Sequence, residues 1–309
     1  MAPARPSSGS VVTIGNFDGV HLGHQEIIRE TIAQARAAGR RAVAFTFRPH
    51  PQAVLRPDRA PPLLLTYDEK REILLSLGLD EVVEQPFAAE FAATPPEAFF
   101  NDVLRGRLDA RAIVVGYDFT FGRERSGHLQ ILEHLCIGAK ASLTVVPPRR
   151  VDAEVVSSSV IRSNLGAGRV ADAGRGMGRP FFYRGTVSLG DQRGRNMGFP
   201  TANFPLEAIS GGKLVLPFGV YATRLTAGGF PSLPAVTNVG VRPTFAGDSQ
   251  GAAPVLVETH ILDGSHELYS QQVVVEFVER IRGERKFSSI AELQAQIAAD
   301  IARARQILA

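Results

Sequence analysis

Two stretches of this 309-residue chain hold residues whose types and spacing can do chemistry. The first runs Gly15-Asn16-Phe17-Asp18-Gly19-Val20-His21-Leu22-Gly23-His24. It follows the apolar run Val11 to Ile14. It precedes Gln25 to Ala38, where Ile27, Ile28, Ile32 and Ala35 recur at helical spacing. That order predicts a strand, a turn and a helix. Gly15 and Gly19 suit a tight bend, and Gly23 lets a ligand approach the helix start. His21 and His24 stand one helical turn apart, so both can face one ligand. A helix N-terminus carries free N–H groups and a partial positive charge, which suits phosphate, so Gly15, Asn16, Phe17, Asp18 and Gly23 are expected to line a nucleotide site with the two histidines. Two histidines could also serve a zinc ion, but no cysteine and no acidic pair stands near them in sequence.

The second stretch runs from Gly190 to Asn203, Gly-Asp-Gln-Arg-Gly-Arg-Asn-Met-Gly-Phe-Pro-Thr-Ala-Asn. Glycines at 190, 194 and 198 allow a loop to close over phosphates through its backbone N–H groups. Arg195, Phe199 and Pro200 belong to the same candidate nucleotide-binding stretch. Thr201 and Asn203 offer hard oxygen ligands two residues apart, a set suited to Mg²⁺ carrying nucleotide phosphates.

Three further segments fit a site at the carboxyl edge of a parallel sheet. Arg48-Pro49-His50-Pro51 ends the strand Arg41 to Phe47, and His50 lines the site or sits in a surface turn. Gly116-Tyr117-Asp118-Phe119-Thr120-Phe121-Gly122 follows the strand Ala112 to Val115. Phe119 and Phe121 could stack on a flat ring, with Asp118 beside them, or could be core. Ser157, Ser158 and Ser159 precede an apolar run as N-caps do, and with Arg162 could grip departing pyrophosphate.

The positioning elements follow from capping and periodicity. Thr66-x-x-Glu69 and Thr94-Pro95-Pro96-Glu97 read as capping boxes, and the first opens a helix to about Leu77. Glu81 to Glu84 and Ser142 to Val146 add strands, so residues 1–175 read as an α/β domain with a parallel sheet. Ala171 to Met177, with Ala173, Gly174 and Gly176, reads as a linker. Residues 176–309 change texture: short strands near 182–188, 219–225, 233–239, 255–261 and 271–281 suggest a small antiparallel barrel. Ser289-x-x-Glu292 opens a last helix with Ile290, Leu293, Ile297 and Ile301 on one face.

Composition bounds the partners. A hydrophobic share of 44% and a charged share of 21% are ordinary for a soluble globular chain, and the length suggests two domains. The net charge of +3 gives no reason to expect nucleic acid, and no apolar run approaches membrane-spanning length. The single Cys136 excludes an internal disulfide and fits a reducing cytoplasm. Oligomeric state is not readable from the sequence.

The decapeptide 15–24 resembles the signature of the nucleotidyltransferase superfamily in its bacterial FAD synthetase branch, and Gly198 to Asn203 resembles the riboflavin kinase family. With Phe47 to Pro51, Gly116 to Gly122 and the serine run with Arg162, the chain from about Val11 to Leu308 resembles the bifunctional bacterial riboflavin kinase/FMN adenylyltransferase family. That resemblance implies a Rossmann-like N-terminal domain and a C-terminal barrel, with riboflavin, FMN and ATP as substrates, FAD as product and Mg²⁺ as cofactor. It implies catalytic roles for His21, His24 and Arg162 in adenylylation. It makes Glu258, in Val257-Glu258-Thr259-His260, the catalytic base of the kinase. Arg282, Glu284 and Phe287 fall in its flavin-side loop, and Asn238 to Phe245 in a structural segment. Arg48, Gly264 and Ser270 depart from the family's acidic residue, aromatic and glycine.

Overall fold

A computed structural model describes residues 9–188, 199–205, 212–228, 232–241, 255–264 and 266–309. Gly190, Arg195 and Gly198, expected in the phosphate loop, lie outside the described residues. The chain divides into two compact units, Met1–Ser158 and Ser159–Ala309.

In the first unit, strands β1 (Ser10–Ile14), β2 (Arg41–Arg48), β3 (Glu81–Pro86), β4 (Ala110–Gly116) and β5 (Ser142–Val146) form one parallel sheet ordered β3-β2-β1-β4-β5. The strand order reverses between β1 and β4, and the crevice outside the carboxyl ends at such a point is where open α/β sheets bind ligands. Among the described residues its α-helices are α1 (Leu22–Ala37), α2 (Pro51–Leu55), α3 (Tyr67–Ser76), α4 (Ala89–Ala92), α5 (Pro96–Ala98) and α6 (Leu129–Gly138). Val12, Phe45, Leu104 and Ile113 are completely buried in a shared core. Each such side chain removed from water is worth about 1.5–3 kcal/mol.

The capping expectations divide. Thr66 and Glu69 form the reciprocal box that opens α3. Thr94 does not cap: α5 is entered at Pro95 with no side-chain bond and runs on into a π-helical segment, Phe99–Arg107. The Thr94 carbonyl instead accepts the Arg123 N–H, which turns the chain there toward the loop after β4.

A short antiparallel hairpin, β6 (Arg150–Val151) and β7 (Glu154–Val155), follows the sheet. In the second unit, α7 (Ser158–Gly166) and α8 (Val170–Met177) precede the strands; Ser158 itself falls in the first unit. The expected linker Ala171 to Met177 is therefore a helix. Val170, Ala173, Gly176 and Met177 are buried, and α8 packs on β8 (Phe181–Thr186) and β13 (Gln272–Gly283). Its small residues permit close packing rather than a loose chain.

The remaining strands are β9 (Ala202–Pro205), β10 (Gly219–Ala227), β11 (Leu233–Val241) and β12 (Val255–Ile261). The sheet order is β8-β13-β10-β11-β12-β9, antiparallel throughout. Ser188 bridges to Asn203, which brings the two edges together as a barrel. Inside it, the buried hydroxyls of Thr223, Thr237 and Thr259 form a hydrogen-bonded ladder at 2.8 and 2.9 Å. Helix α9 (Ile290–Leu308) is capped by Ser289, whose hydroxyl accepts the Glu292 N–H, and packs Ala304 and Leu308 over Ala222.

Candidate functional site

At the carboxyl end of β1 the chain turns sharply into α1. The bend is carried by Gly19 at φ 81° and by two non-glycine residues in left-handed conformations, Phe17 at φ 49° and Val20 at φ 40°. A β-branched residue there is strained, and such strain persists where the surroundings over-determine it. The Phe17 ring, 1% exposed, is plugged into the core edge-on to His24. Gly15 gives that ring its room, for a methyl there would stand 3.1 Å from it. The Asp18 carboxylate is likewise buried, accepting the N–H groups of Leu64 and Leu65. Phe17 and Asp18 were expected to contact the nucleotide; their side chains instead lock the turn, because burial and backbone partners occupy them. Asn16 is exposed, and its carbonyl accepts from Thr46 and Lys70.

His21 is the N-cap of α1, its Nδ1 accepting the His24 N–H at 3.3 Å. The two imidazoles stack with centroids 3.6 Å apart and planes 19° apart. Burial first, then the positive charges of His21 and Lys70, hold His24 well below the ordinary histidine range. His24 Nδ1 is buried with no hydrogen-bond partner among the described residues. An N–H left there would be an unsatisfied buried donor, so the proton of the neutral ring is assigned to Nε2. Gly23 leaves the His21 ring its place at the helix start, since a methyl there would stand 3.2 Å from that ring and press on it.

Around this turn, the Ser158 hydroxyl donates to the Asp18 carbonyl at 2.9 Å. Ser157 is half-buried and Ser159 exposed; Arg162, half-buried, lies on α7 in the second unit. His50 caps α2 with Nδ1 and donates its own N–H to the Tyr67 hydroxyl at 2.8 Å. Arg48 pairs with Asp68 at 3.2 Å and lies over the Tyr67 ring, so its charge is answered within the protein. Asp118 is exposed at the carboxyl end of β4. Phe121 is core: its ring fills the space a side chain at Gly127 would need, and it packs on Phe99. Phe119, half-buried, stacks on Phe121 at 5.5 Å. Of the two readings of Phe121, its burial favours core over a flat-ring contact.

Sequence reasoning missed Lys70. It is 4% exposed, and its ammonium donates to the Thr46 hydroxyl at 2.9 Å, the Asn16 carbonyl at 3.2 Å and the Phe47 carbonyl at 3.4 Å. The signal was available: Lys70 sits one turn before Leu74, on the buried face of α3.

On the barrel, β-register does the assembling. Asn203 stands opposite Glu258, and Glu258 opposite Asn238. Directly paired residues share a face, so the three form a row. Their neighbours Phe204, Val257, Thr259, Thr237 and Val239 are completely buried, so the row occupies the face away from the barrel interior. Thr201, two residues before Asn203, precedes β9. That strand was expected to be loop; its Ala202 and Phe204 are buried and it pairs with β12. The Phe199–Pro200 segment is held by His260, which donates from Nδ1 to the Pro200 carbonyl at 2.9 Å and meets Phe199 edge-on.

Asn203 Oδ1 is buried with no hydrogen-bond partner among the described residues. A buried polar atom left so is a place where an ion or ligand belongs, and an amide oxygen suits a hard cation. Among the described residues no group of three or more His, Cys, Asp or Glu is placed to hold a metal. Mg²⁺ needs no such cage, because phosphates and water supply most of its ligands.

Glu284 reaches Gly240, where an added methyl would stand 2.6 Å from its Oε1 and 3.2 Å from the Asn238 amide nitrogen. Glu284 therefore joins the row at its Asn238 end. Arg282 was expected to face flavin. Its guanidinium is instead committed to Asp300, through Nε and the 2.8 Å Nη2 bond, and to the Gly283 carbonyl. Its planar fork matches a carboxylate on α9 better than a neutral ring. Phe287 lies under Arg282 and Arg285. Gly264 and Ser270 both take left-handed φ values, 83° and 62°, so Ser270 stands where glycine would be unstrained.

Known proteins match both halves of the chain. Residues 4–160 match the FAD synthetase family model, and residues 177–308 match the riboflavin kinase model. The bifunctional riboflavin kinase/FMN adenylyltransferase of Escherichia coli K12 is 36% identical over 302 residues, covering 97% of this chain and 93% of that protein. The Bacillus subtilis protein of the same name is 36% identical over 292 residues, 94% of this chain and 90% of that protein. A crystal structure from Streptococcus pneumoniae, titled a macrolide-efflux protein, superposes with TM-score 0.84 at 29% identity over 98% of this chain and 96% of that one. Efflux is said of that protein; among the described residues here, no helix is long and apolar enough to cross a membrane. Two domain models in tandem and full-length relatives under one name lead to the same statement: the chain belongs to the bifunctional riboflavin kinase/FMN adenylyltransferase family, making FMN from riboflavin and FAD from FMN.

Proposed function

We propose that the kinase reaction runs along the row Asn203–Glu258–Asn238, and the adenylyl transfer at the turn holding His21 and His24. The alignment of that row on one face of the barrel, with an unsatisfied oxygen at Asn203, carries the kinase assignment. Glu258 accepts the proton of the ribityl 5′-hydroxyl as that oxygen attacks the γ-phosphate of ATP, giving FMN and ADP. Thr201 and Asn203 hold Mg²⁺, which supplies charge neutralisation at the transferring phosphoryl group when bound. Asn238 and Glu284 border the base, and Phe199, Pro200 and Phe287 contribute apolar surface for the flavin. Gly190, Arg195 and Gly198 are assigned to the nucleotide on sequence alone.

In the first unit the FMN phosphate is already a nucleophile at neutral pH, so no general base is required. Its attack on the α-phosphate of a second ATP releases pyrophosphate. His24 donates from Nε2, the free N–H groups of α1 face the anion, and Ser157 and Ser158 are assigned to the departing pyrophosphate, as are Ser159 and Arg162 on sequence alone. The substrates are small molecules, and a free buried Cys136 fits a cytoplasmic enzyme.

The test is Glu258→Gln, assayed separately for riboflavin phosphorylation and for adenylylation of supplied FMN. The exchange keeps size and hydrogen bonding but removes the proton acceptor. Phosphorylation should fall by roughly 10²–10⁴-fold with adenylylation unchanged. Normal phosphorylation in this variant sinks the assignment of Glu258 as base.

A further inference from the structure

Lys70 is a buried cation that neither reaction uses directly. An ammonium costs free energy to remove from water unless it is paired and hydrogen-bonded. Here its three protons go to three oxygens that belong to the binding edge of the sheet. One is the Asn16 carbonyl in the turn before α1, one the Thr46 hydroxyl on β2, and one the Phe47 carbonyl at the end of β2. Thr46 in turn donates to the same Asn16 carbonyl at 3.2 Å. The capping box at Thr66 fixes the helix from which Lys70 projects.

We propose that Lys70 is a positioning residue for adenylyl transfer, its ammonium pinning the Asn16 turn to the end of β2 so that His21 and His24 are held where the phosphates react. This rests on the reading of the His pair as the adenylylation site. A clamp at Asn16 matters because the turn is strained at Phe17 and Val20, and Lys70 adds a hold on its near side to the one that buried Phe17 and Asp18 give it. An oxyanion donor acts only from a fixed position, and small displacements cost rate rather than binding.

The charged and titratable groups around Lys70 are Asp18 from the turn, Arg48 from β2, Tyr67 from its own helix, Glu84 from β3 and His24 from α1. Burial, reinforced by the positive charge of Arg48, outweighs the attraction of Asp18 and Glu84 and brings Lys70 down from 10.5 to about 8. The sign follows. Below that pH the ammonium fills all three acceptors. Above it the amine has two protons for three acceptors, and the clamp loosens. Adenylylation should therefore decline as pH rises through about 8, while riboflavin phosphorylation on the same chain does not share that limb.

The full-length enzyme provides the test, with kinase activity as an internal control. Lys70→Met should lower kcat for FMN adenylylation roughly 10-fold to 10²-fold, with KM changed less and phosphorylation unchanged. Lys70→Arg keeps the charge and should retain more activity while moving the alkaline limb upward. Wild-type adenylylation in Lys70→Met, or an unmoved limb in an active Lys70→Arg, overturns the proposal. If neither variant folds, Thr46→Val decides: it removes one acceptor and should lower kcat, and an unchanged kcat overturns the clamp. His24→Ala is run alongside. Normal adenylylation in it would mean the site reading has failed; loss in His24→Ala with none in Lys70→Met means the clamp alone is wrong.

Discussion

The imidazoles of His21 and His24 lie face to face, 3.6 Å between centroids, while His21 Nδ1 accepts the His24 backbone N–H. One histidine therefore builds the helix start and the other is displayed by it. Two protonated rings could not stack this closely without repulsion, which agrees with the depressed basicity of His24.

His24→Ala removes the displayed donor and leaves the cap intact. Losing one oxyanion-type donor costs on the order of 2.7–4 kcal/mol of barrier. FMN should accumulate from riboflavin while FAD formation falls steeply. Because His24 stays neutral well below pH 6.5, it should place no acid limb near 6.5 on adenylylation. Separating flavins from a riboflavin and ATP incubation across pH checks both; undiminished FAD formation makes His24 a bystander.

How much of this was legible in sequence depends on how each residue acts. His21, His24 and Thr66 announce themselves through helix-start spacing, a local rule. Phe17, Asp18 and Phe121 were assigned to ligand because short motifs show residue type but not burial, and burial is decided by partners far along the chain, such as Leu64 for Asp18. Arg282 was misjudged for the same reason, since Asp300 lies on a different element. Lys70 was overlooked because a lysine in a capped helix reads as solvent-facing. Register, which joins Asn203, Glu258 and Asn238, is a non-local property that no segment displays alone.

The domain boundary gives a second prediction. A fragment beginning near Gly176 retains every strand of the barrel but discards most of α8, including buried Val170 and Ala173 against β8 and β13. A fragment beginning at Ser159 keeps that helix. Both should phosphorylate riboflavin and make no FAD, with the longer one melting several degrees higher, since each kcal/mol shifts the melting point of a domain this size by about 2–8 °C. Equal melting temperatures would show that α8 contributes nothing to the barrel.

The last prediction concerns how Thr201 and Asn203 divide their work. Asn203 is 7% exposed and paired in the sheet with Glu258, whereas Thr201 is half-buried and precedes the strand. Both offer an oxygen, but of the two it is the Asn203 oxygen that is buried with no partner among the described residues, and so is already desolvated for a cation. Thr201→Ala should weaken Mg-ATP handling in a way that added Mg²⁺ partly restores, because phosphates and water can fill the missing position. Asn203→Leu should lose more and be rescued less: it removes the desolvated ligand and sets an apolar group beside Glu258. Neither change reaches the first unit, so adenylylation of supplied FMN should persist in both. Titrating Mg²⁺ in the kinase assay separates the cases. Thr201→Ala with an unchanged Mg²⁺ requirement, or Asn203→Leu restored to normal by added Mg²⁺, would remove these residues from the metal site, leaving the buried Asn203 oxygen to a different ligand.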